Sequence, residues 1–282
     1  MTSALIRLVA IAALLLMAAG LSAPARAAQP SLMDLPYGSD PKQRLDVYLP
    51  AHRQDAPVIV MVHGGGWRFG DKSQIPAWRN KVEHWTGQGI VVVTVNYRLL
   101  PQAHPLEQAR DVARALAYVQ RRAAQWGASA QRLVLMGHSA GGHLVSLLSA
   151  DPAMAWQEGA QDWLATVALD SAALDPAEIM RQSPSPLYAH AFGTDPSYWE
   201  QASPLAQLQP TARPMLLVCS SRRTLPCPQA ERFAGQMRAL GGQARTLPVD
   251  LSHRSINAAI GLHPVYTAAL DAFLAEAGLW AP

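Results

Sequence analysis

Cysteine is almost missing from this chain: of 282 residues, only Cys219 and Cys227 carry a thiol. Two thiols with no second pair nearby do not make a structural zinc site, and no metal is expected. Charge is also sparse, with 15% charged residues and a net charge of +3. No Lys/Arg cluster forms the basic stripe that a phosphate backbone demands, so no nucleic-acid partner is expected. The chain lacks a P-loop with its lysine–serine pair and has no G-x-G-x-x-G segment, and no cofactor is expected. Internal repeats and long polar linkers are absent too, which argues for one folded domain.

The N-terminus reads as an export leader. Arg7 precedes an apolar stretch from Leu8 to Ala18, and Ala25-Arg26-Ala27 places small residues where an export peptidase cuts, after Ala27 or Ala28. The apolar stretch is short for a span and lacks a stop-transfer flank, so no stable membrane insertion is expected. Loss of Arg7 and Arg26 with residues 1–27 takes the net charge from +3 to +1. About 255 residues remain, enough for one sizeable core. The expected location is therefore periplasmic or secreted. In an oxidising compartment, Cys219 and Cys227, eight apart, favour a disulfide over a pair of free thiols.

Strand-like runs at 45–49, 58–62, 91–95, 133–136, 164–169, 215–218 and 244–249 alternate with helical patterns at 78–88, 106–126, 141–149, 229–240 and 264–277. Most of these strands are continuously apolar, as in a parallel sheet covered on both faces, with the first pairing antiparallel at the edge. An α/β sheet of this kind binds its ligand at the carboxyl ends of its strands.

Two glycine motifs fall at such ends. Gly137-His138-Ser139-Ala140-Gly141 follows Leu133-Val134-Leu135-Met136 and opens a helical stretch, the strand–turn–helix that lifts a serine hydroxyl above a sheet. His63-Gly64-Gly65-Gly66-Trp67 follows Val58-Ile59-Val60-Met61-Val62. There the amides of Gly65 and Gly66, with that of Ala140, suit an oxyanion hole. His63 is expected to organise this loop, and Trp67 either walls a substrate pocket or packs as a buried aromatic.

These motifs, with Asn96-Tyr97-Arg98-Leu99, Pro101 and Asp111, resemble the α/β-hydrolase superfamily. The chain is similar to hormone-sensitive-lipase-like and feruloyl-esterase-like carboxylesterases. The resemblance implies a single α/β-hydrolase domain over residues 28–282, a mostly parallel sheet of about eight strands, and a structural Arg98–Asp111 pair. It implies a serine hydrolase acting on small or aryl carboxylic esters through an acyl-enzyme. An amidase, arylformamidase or peptidase of the same fold is the alternative, and a non-catalytic cell-envelope binding protein is a second.

Ser139 is the expected nucleophile and His253, on the loop after the last strand, the general base. His263 competes but falls near the terminal helix, and His138 and His143 adjoin the nucleophile. The acid departs from the family pattern. Its usual place after 215–218 reads Ser220-Ser221-Arg222-Arg223-Thr224-Leu225-Pro226, with no carboxylate. Asp170, at the end of Val167-Ala168-Leu169, is the favoured substitute and matches an alternative acid position in some lipases of the superfamily. Asp250, three residues before His253, is the other candidate; Asp175 matches a family aspartate without a triad role. Arg222 and Arg223 fit a solvated loop better than an acidic-substrate contact. The substrate pocket is expected to draw on Met180, Leu187, Tyr188, Phe192, Tyr198 and Trp199.

Overall fold

Continuously apolar runs become central strands because both of their faces must be covered. The computed structural model describes residues 29–280, with the backbone alone at 75–77. The leader expected at 1–27 lies outside the described residues. Eight strands, β1 (Leu32–Pro36), β2 (Arg44–Tyr48), β3 (Ala56–Val62), β4 (Val91–Val95), β5 (Ala128–His138), β6 (Ala165–Leu169), β7 (Met215–Ser220) and β8 (Ala244–Val249), form one sheet. Its order is β1-β2-β4-β3-β5-β6-β7-β8. The β1–β2 and β2–β4 pairings are antiparallel and the rest are parallel. This is the α/β-hydrolase fold.

Ten α-helices complete it: α1 (Ile75–Thr86), α2 (Pro105–Arg122), α3 (Ala140–Ala150), α4 (Ala153–Gln157), α5 (Pro176–Arg181), α6 (Pro186–Phe192), α7 (Pro196–Gln201), α8 (Pro226–Ala239), α9 (His253–Ala258) and α10 (Pro264–Glu276), as counted among the described residues. The two-residue period of β3 divides its side chains between two layers. Val58, Val60 and Val62 belong to the cluster that holds Val112 and Leu116 of α2 and Leu144 of α3. Ile59 and Met61 belong to the opposite one, with Trp78 and Trp85 of α1 and Leu270 of α10.

One strand departs from the sequence reading. The edge on that side of the sheet is β1, not β2, and in the run Leu-Met-Asp-Leu-Pro that forms it only Leu32 and Leu35 are half-buried, the other three residues being exposed. An edge strand packs weakly, so it carries no apolar run, and its pairing with β2 shifts register between Leu32 and Leu35.

The chain leaves β4 through Asn96-Tyr97-Arg98, where Asp111 of α2 anchors it. Fully buried, Asp111 accepts from Arg98 Nε and Nη2, both at 2.7 Å, from the Arg98 amide at 3.1 Å, and from Gln43 Nε2 at 2.7 Å. Removing one partner of a buried pair leaves the other charge uncompensated. Asp111→Ala is therefore expected to lower the unfolding free energy by about 3–5 kcal/mol. Urea denaturation measures this, and a loss below about 1 kcal/mol would remove the pair from the scaffold.

Candidate active site

Ser139 occupies the one-residue turn between β5 and α3, with φ 56° and ψ −118°. For a residue with a Cβ this backbone is strained by roughly 1–3 kcal/mol, and only firm anchoring on both sides maintains it. The anchoring comes from the Ser139 amide, which donates to the Leu169 carbonyl at 2.9 Å, and from the Ser139 carbonyl, which accepts from the His143 amide at 3.1 Å. The Ala140 amide is one of the first-turn N–H groups that have no acceptor within their own helix.

The glycine loop lies directly against this turn: a Cβ on Gly64 would sit 2.9 Å from Ser139 Cβ. Gly65 has φ +126°, a conformation that residues with side chains rarely adopt, and its carbonyl closes a tight turn by accepting from the Phe69 amide at 2.9 Å. Within this turn the Gly65 and Gly66 amides donate to no acceptor among the described residues. His63 braces the loop from beneath. Its Nδ1–H donates to the Gly64 carbonyl at 2.7 Å, its ring stacks on Tyr97 at 4.4 Å, and the Tyr97 hydroxyl donates to its carbonyl at 2.9 Å. Trp67 is buried rather than exposed to substrate. Its indole N–H donates to His143 Nδ1 at 3.1 Å, and its ring meets Phe192 edge-on at 5.0 Å.

His253, the first residue of α9, meets the end of β6. Its Nδ1 is 2.6 Å from Asp170 Oδ2. With the ring proton on Nδ1 donating to the carboxylate, Nε2 keeps its lone pair and can accept a proton. Asp170 is itself fixed: it is fully buried at φ 52°, with Oδ1 accepting from the Ser220 amide at 2.8 Å and Oδ2 from Arg223 Nη1 at 2.7 Å. Burial pushes its carboxyl pKa up, but the hydrogen bonds from His253, Ser220 and Arg223 outweigh burial and hold it below the usual range. Arg223 Nη1 also lies 3.0 Å from His253 Nδ1. A guanidinium only donates, so this contact reflects two donors converging on one Asp170 oxygen.

The remaining candidates lie elsewhere. Asp250 is highly exposed and pairs with Arg222 Nε at 2.7 Å. Asp175 caps α5 by accepting from the Glu178 amide at 3.1 Å, and His263 caps α10 through the Tyr266 amide at 3.3 Å. Both arginines of the 222–223 pair are thus taken up by aspartates. Cys219 and Cys227 form a disulfide that closes their loop. His138 has a part that the sequence reading did not assign. Its Nε2–H donates to the His253 carbonyl at 2.9 Å, which ties the first residue of α9 to the Ser139 turn.

Ser139, His253 and the three loop glycines line one cleft of about 670 Å³. Of the apolar residues expected from the 175–198 insertion only Leu187 lines it. Met180 and Phe192 are buried in the core, and Tyr188, Tyr198 and Trp199 pack against that core. The other walls are Phe69, Gln74, Trp78, Arg254, Asn257 and Ala258, from α1, the segment before it and α9. Helices flanking the sheet thus supply more of the cleft than the insertion does.

Burial holds three neighbouring histidines neutral, with pKa values pulled down to about 4 for His63 and His143 and about 3 for His138, where the His253 ring adds to the effect. An unfolded histidine protonates near pH 6.5, so below that pH each ring takes up a proton only on unfolding. Their contribution is intact above pH 6.5 and is lost as the pH falls towards about 4. With up to about three protons bound on unfolding, stability is expected to fall by up to about 4 kcal/mol per pH unit in this window. Urea midpoints at stepped pH measure the slope; a flat midpoint from pH 7 to 4.5 would contradict it.

Known proteins resemble this chain in sequence or in fold. The chain is 33% identical over 112 residues to a probable isoprenylcysteine alpha-carbonyl methylesterase, ICMEL1, of Arabidopsis thaliana, a match covering 39% of this chain and 23% of that protein. It is 32% identical over 125 residues to a kynurenine formamidase of Salmo salar, covering 44% and 40%. The chain thus spans less than half the length of these two relatives. A thermophilic esterase of Thermogutta terrifontis, Est2, superposes with a TM-score of 0.67 at 23% identity, over 85% of this chain and 89% of that one, a likeness of fold. The model of the BD-FAE family matches residues 45–237, more than half of the sequence, and the chain belongs to that family.

Proposed function

We propose that the chain is a serine hydrolase that cleaves carboxylic esters through an acyl-enzyme. The observation that carries the reading is the 2.6 Å contact of Asp170 Oδ2 with His253 Nδ1, made at the cleft that Ser139 and the Gly65–Gly66 loop also line. In this reading His253 Nε2 takes the Ser139 proton as the hydroxyl oxygen attacks the ester carbonyl. Asp170 holds the tautomer and stabilises the imidazolium. The amides of Gly65, Gly66 and Ala140 receive the charge on the carbonyl oxygen. Collapse expels the alcohol, which takes the proton back from His253, and water attacks the acyl-enzyme by the same route.

The relative described as a methylesterase supports ester cleavage, and the formamidase relative supports the same chemistry on an N-formyl amine. The purified protein is expected to hydrolyse 4-nitrophenyl acetate with a higher kcat/KM than an arylformamide of similar leaving group. The reverse preference would make it an amidase. Failure to turn over either one while folded would favour a binding protein. The reading extends to an exported protein: a leader over 1–27, a single domain over 28–282, and an oxidised Cys219–Cys227 pair suit a periplasmic or secreted enzyme. No helix among the described residues is long and apolar enough to cross a membrane.

A further inference from the structure

Charge around the cleft is one-sided. Among the described residues its lining contains no carboxylate, and burial keeps His63 and His138 uncharged at neutral pH. The lining side chain with a permanent charge is Arg254, exposed and immediately after His253. Arg222 and Arg223, from the loop whose Arg223 reaches His253, are engaged with Asp250 and Asp170, and Arg68 lies over the ring of the lining Phe69 at 5.7 Å. Among the described residues Arg254 has no carboxylate within ion-pair distance. A guanidinium left unpaired at the mouth of a cleft presents a planar fork suited to a carboxylate.

We propose that Arg254 receives an anionic group on the leaving-group side of the substrate. The substrates are then esters whose alcohol or phenol part carries a carboxylate or a comparable fixed anion. This deepens the proposed function and rests on it for the assignment of sides. His253 returns its proton to the leaving oxygen, so the next residue along the same rim stands beside the departing group rather than the acyl group. The body between the ester and the anion is apolar, because Phe69 and Leu187 line the cleft with 66% and 47% of their surface exposed, and Trp78 lines it as well.

Three acetates of meta-substituted phenols test this: 3-carboxyphenyl (anion), 3-carbamoylphenyl (neutral, similar shape) and 3-(trimethylammonio)phenyl (cation). Each kcat/KM is divided by the hydroxide-catalysed rate to remove differences in leaving-group reactivity. The expected order is anion, neutral, cation, with an anion-to-neutral ratio of roughly five to ten at low salt that shrinks as salt is added. Arg254→Gln is expected to bring the ratio to about one, and Arg254→Lys to keep part of it. A ratio near one in the unaltered protein, or one that survives Arg254→Gln, would overturn the proposal while leaving the hydrolase reading intact. Calorimetric binding of the carboxyphenyl and carbamoylphenyl acetates to Ser139→Ala gives a readout without turnover. Arg254-dependent selection of the anion there, with no ester hydrolysed by the parent protein, would sustain the anion site and sink the hydrolase reading.

Discussion

Ser139→Ala is expected to lower kcat for an aryl ester on the order of 10⁶-fold, leaving only what the oxyanion donors and binding supply. The size follows from the proposed chemistry. Without the hydroxyl no acyl-enzyme forms, and water in the cleft must replace a nucleophile already held against the carbonyl. Alanine keeps the Cβ that the strained turn already accommodates at φ 56°, so the variant should remain folded, with a urea midpoint close to that of the parent. Steady-state rates and the midpoint together check the claim. A folded variant retaining more than a few per cent of the activity would remove Ser139 from the chemistry.

Asp170→Asn is expected to cost about 10⁴-fold in kcat, the loss typical of an orienting carboxylate replaced by an amide. An asparagine turning its NH₂ towards Nδ1 favours the tautomer with the proton on Nε2, which cannot accept from a serine. An asparagine turning its oxygen there provides no charge to balance the imidazolium. Arg223 adds to the effect, because its Nη1 lies 2.7 Å from Asp170 Oδ2 and is left beside the imidazole without its counter-charge. Asp250→Asn, by contrast, is expected to change the rate less than about twofold, since it breaks an exposed pair with Arg222. Equal losses in the two variants would contradict the proposed division of roles.

Much of the fold was legible because its signals are local and cumulative. Val58 to Val62 and Val91 to Val95 are too continuously apolar for half-exposed strands, and the Ser139 turn is encoded in five adjacent residues. The edge strand β1 was not legible, since an edge need not bury a run of side chains. In the sequence, Asp170 and Asp250 compete for the place of the acid. A strand-ending aspartate looks the same in sequence whether it caps a turn or meets a histidine 83 residues later. The cleft walls were least visible. The aromatics of 175–198 carry the composition of a pocket, yet Phe192 packs against Trp67 and His143. Arg254 and Asn257 reach the cleft through the placement of α9, which no local pattern specifies. His138 could have been suspected only from its adjacency to Ser139; its bond to the His253 carbonyl spans 115 residues.

Activation of Ser139 as a nucleophile by His253 and Asp170 underlies every rate proposed for this chain. Its most direct measurement is the site and rate of covalent labelling by a fluorophosphonate, read by peptide mass spectrometry. One adduct is expected, on the peptide containing Ser139, absent in Ser139→Ala and formed orders of magnitude more slowly in Asp170→Asn. Ester turnover by a protein whose Ser139 stays unlabelled, or labelling at Ser139 that is indifferent to Asp170, would contradict it.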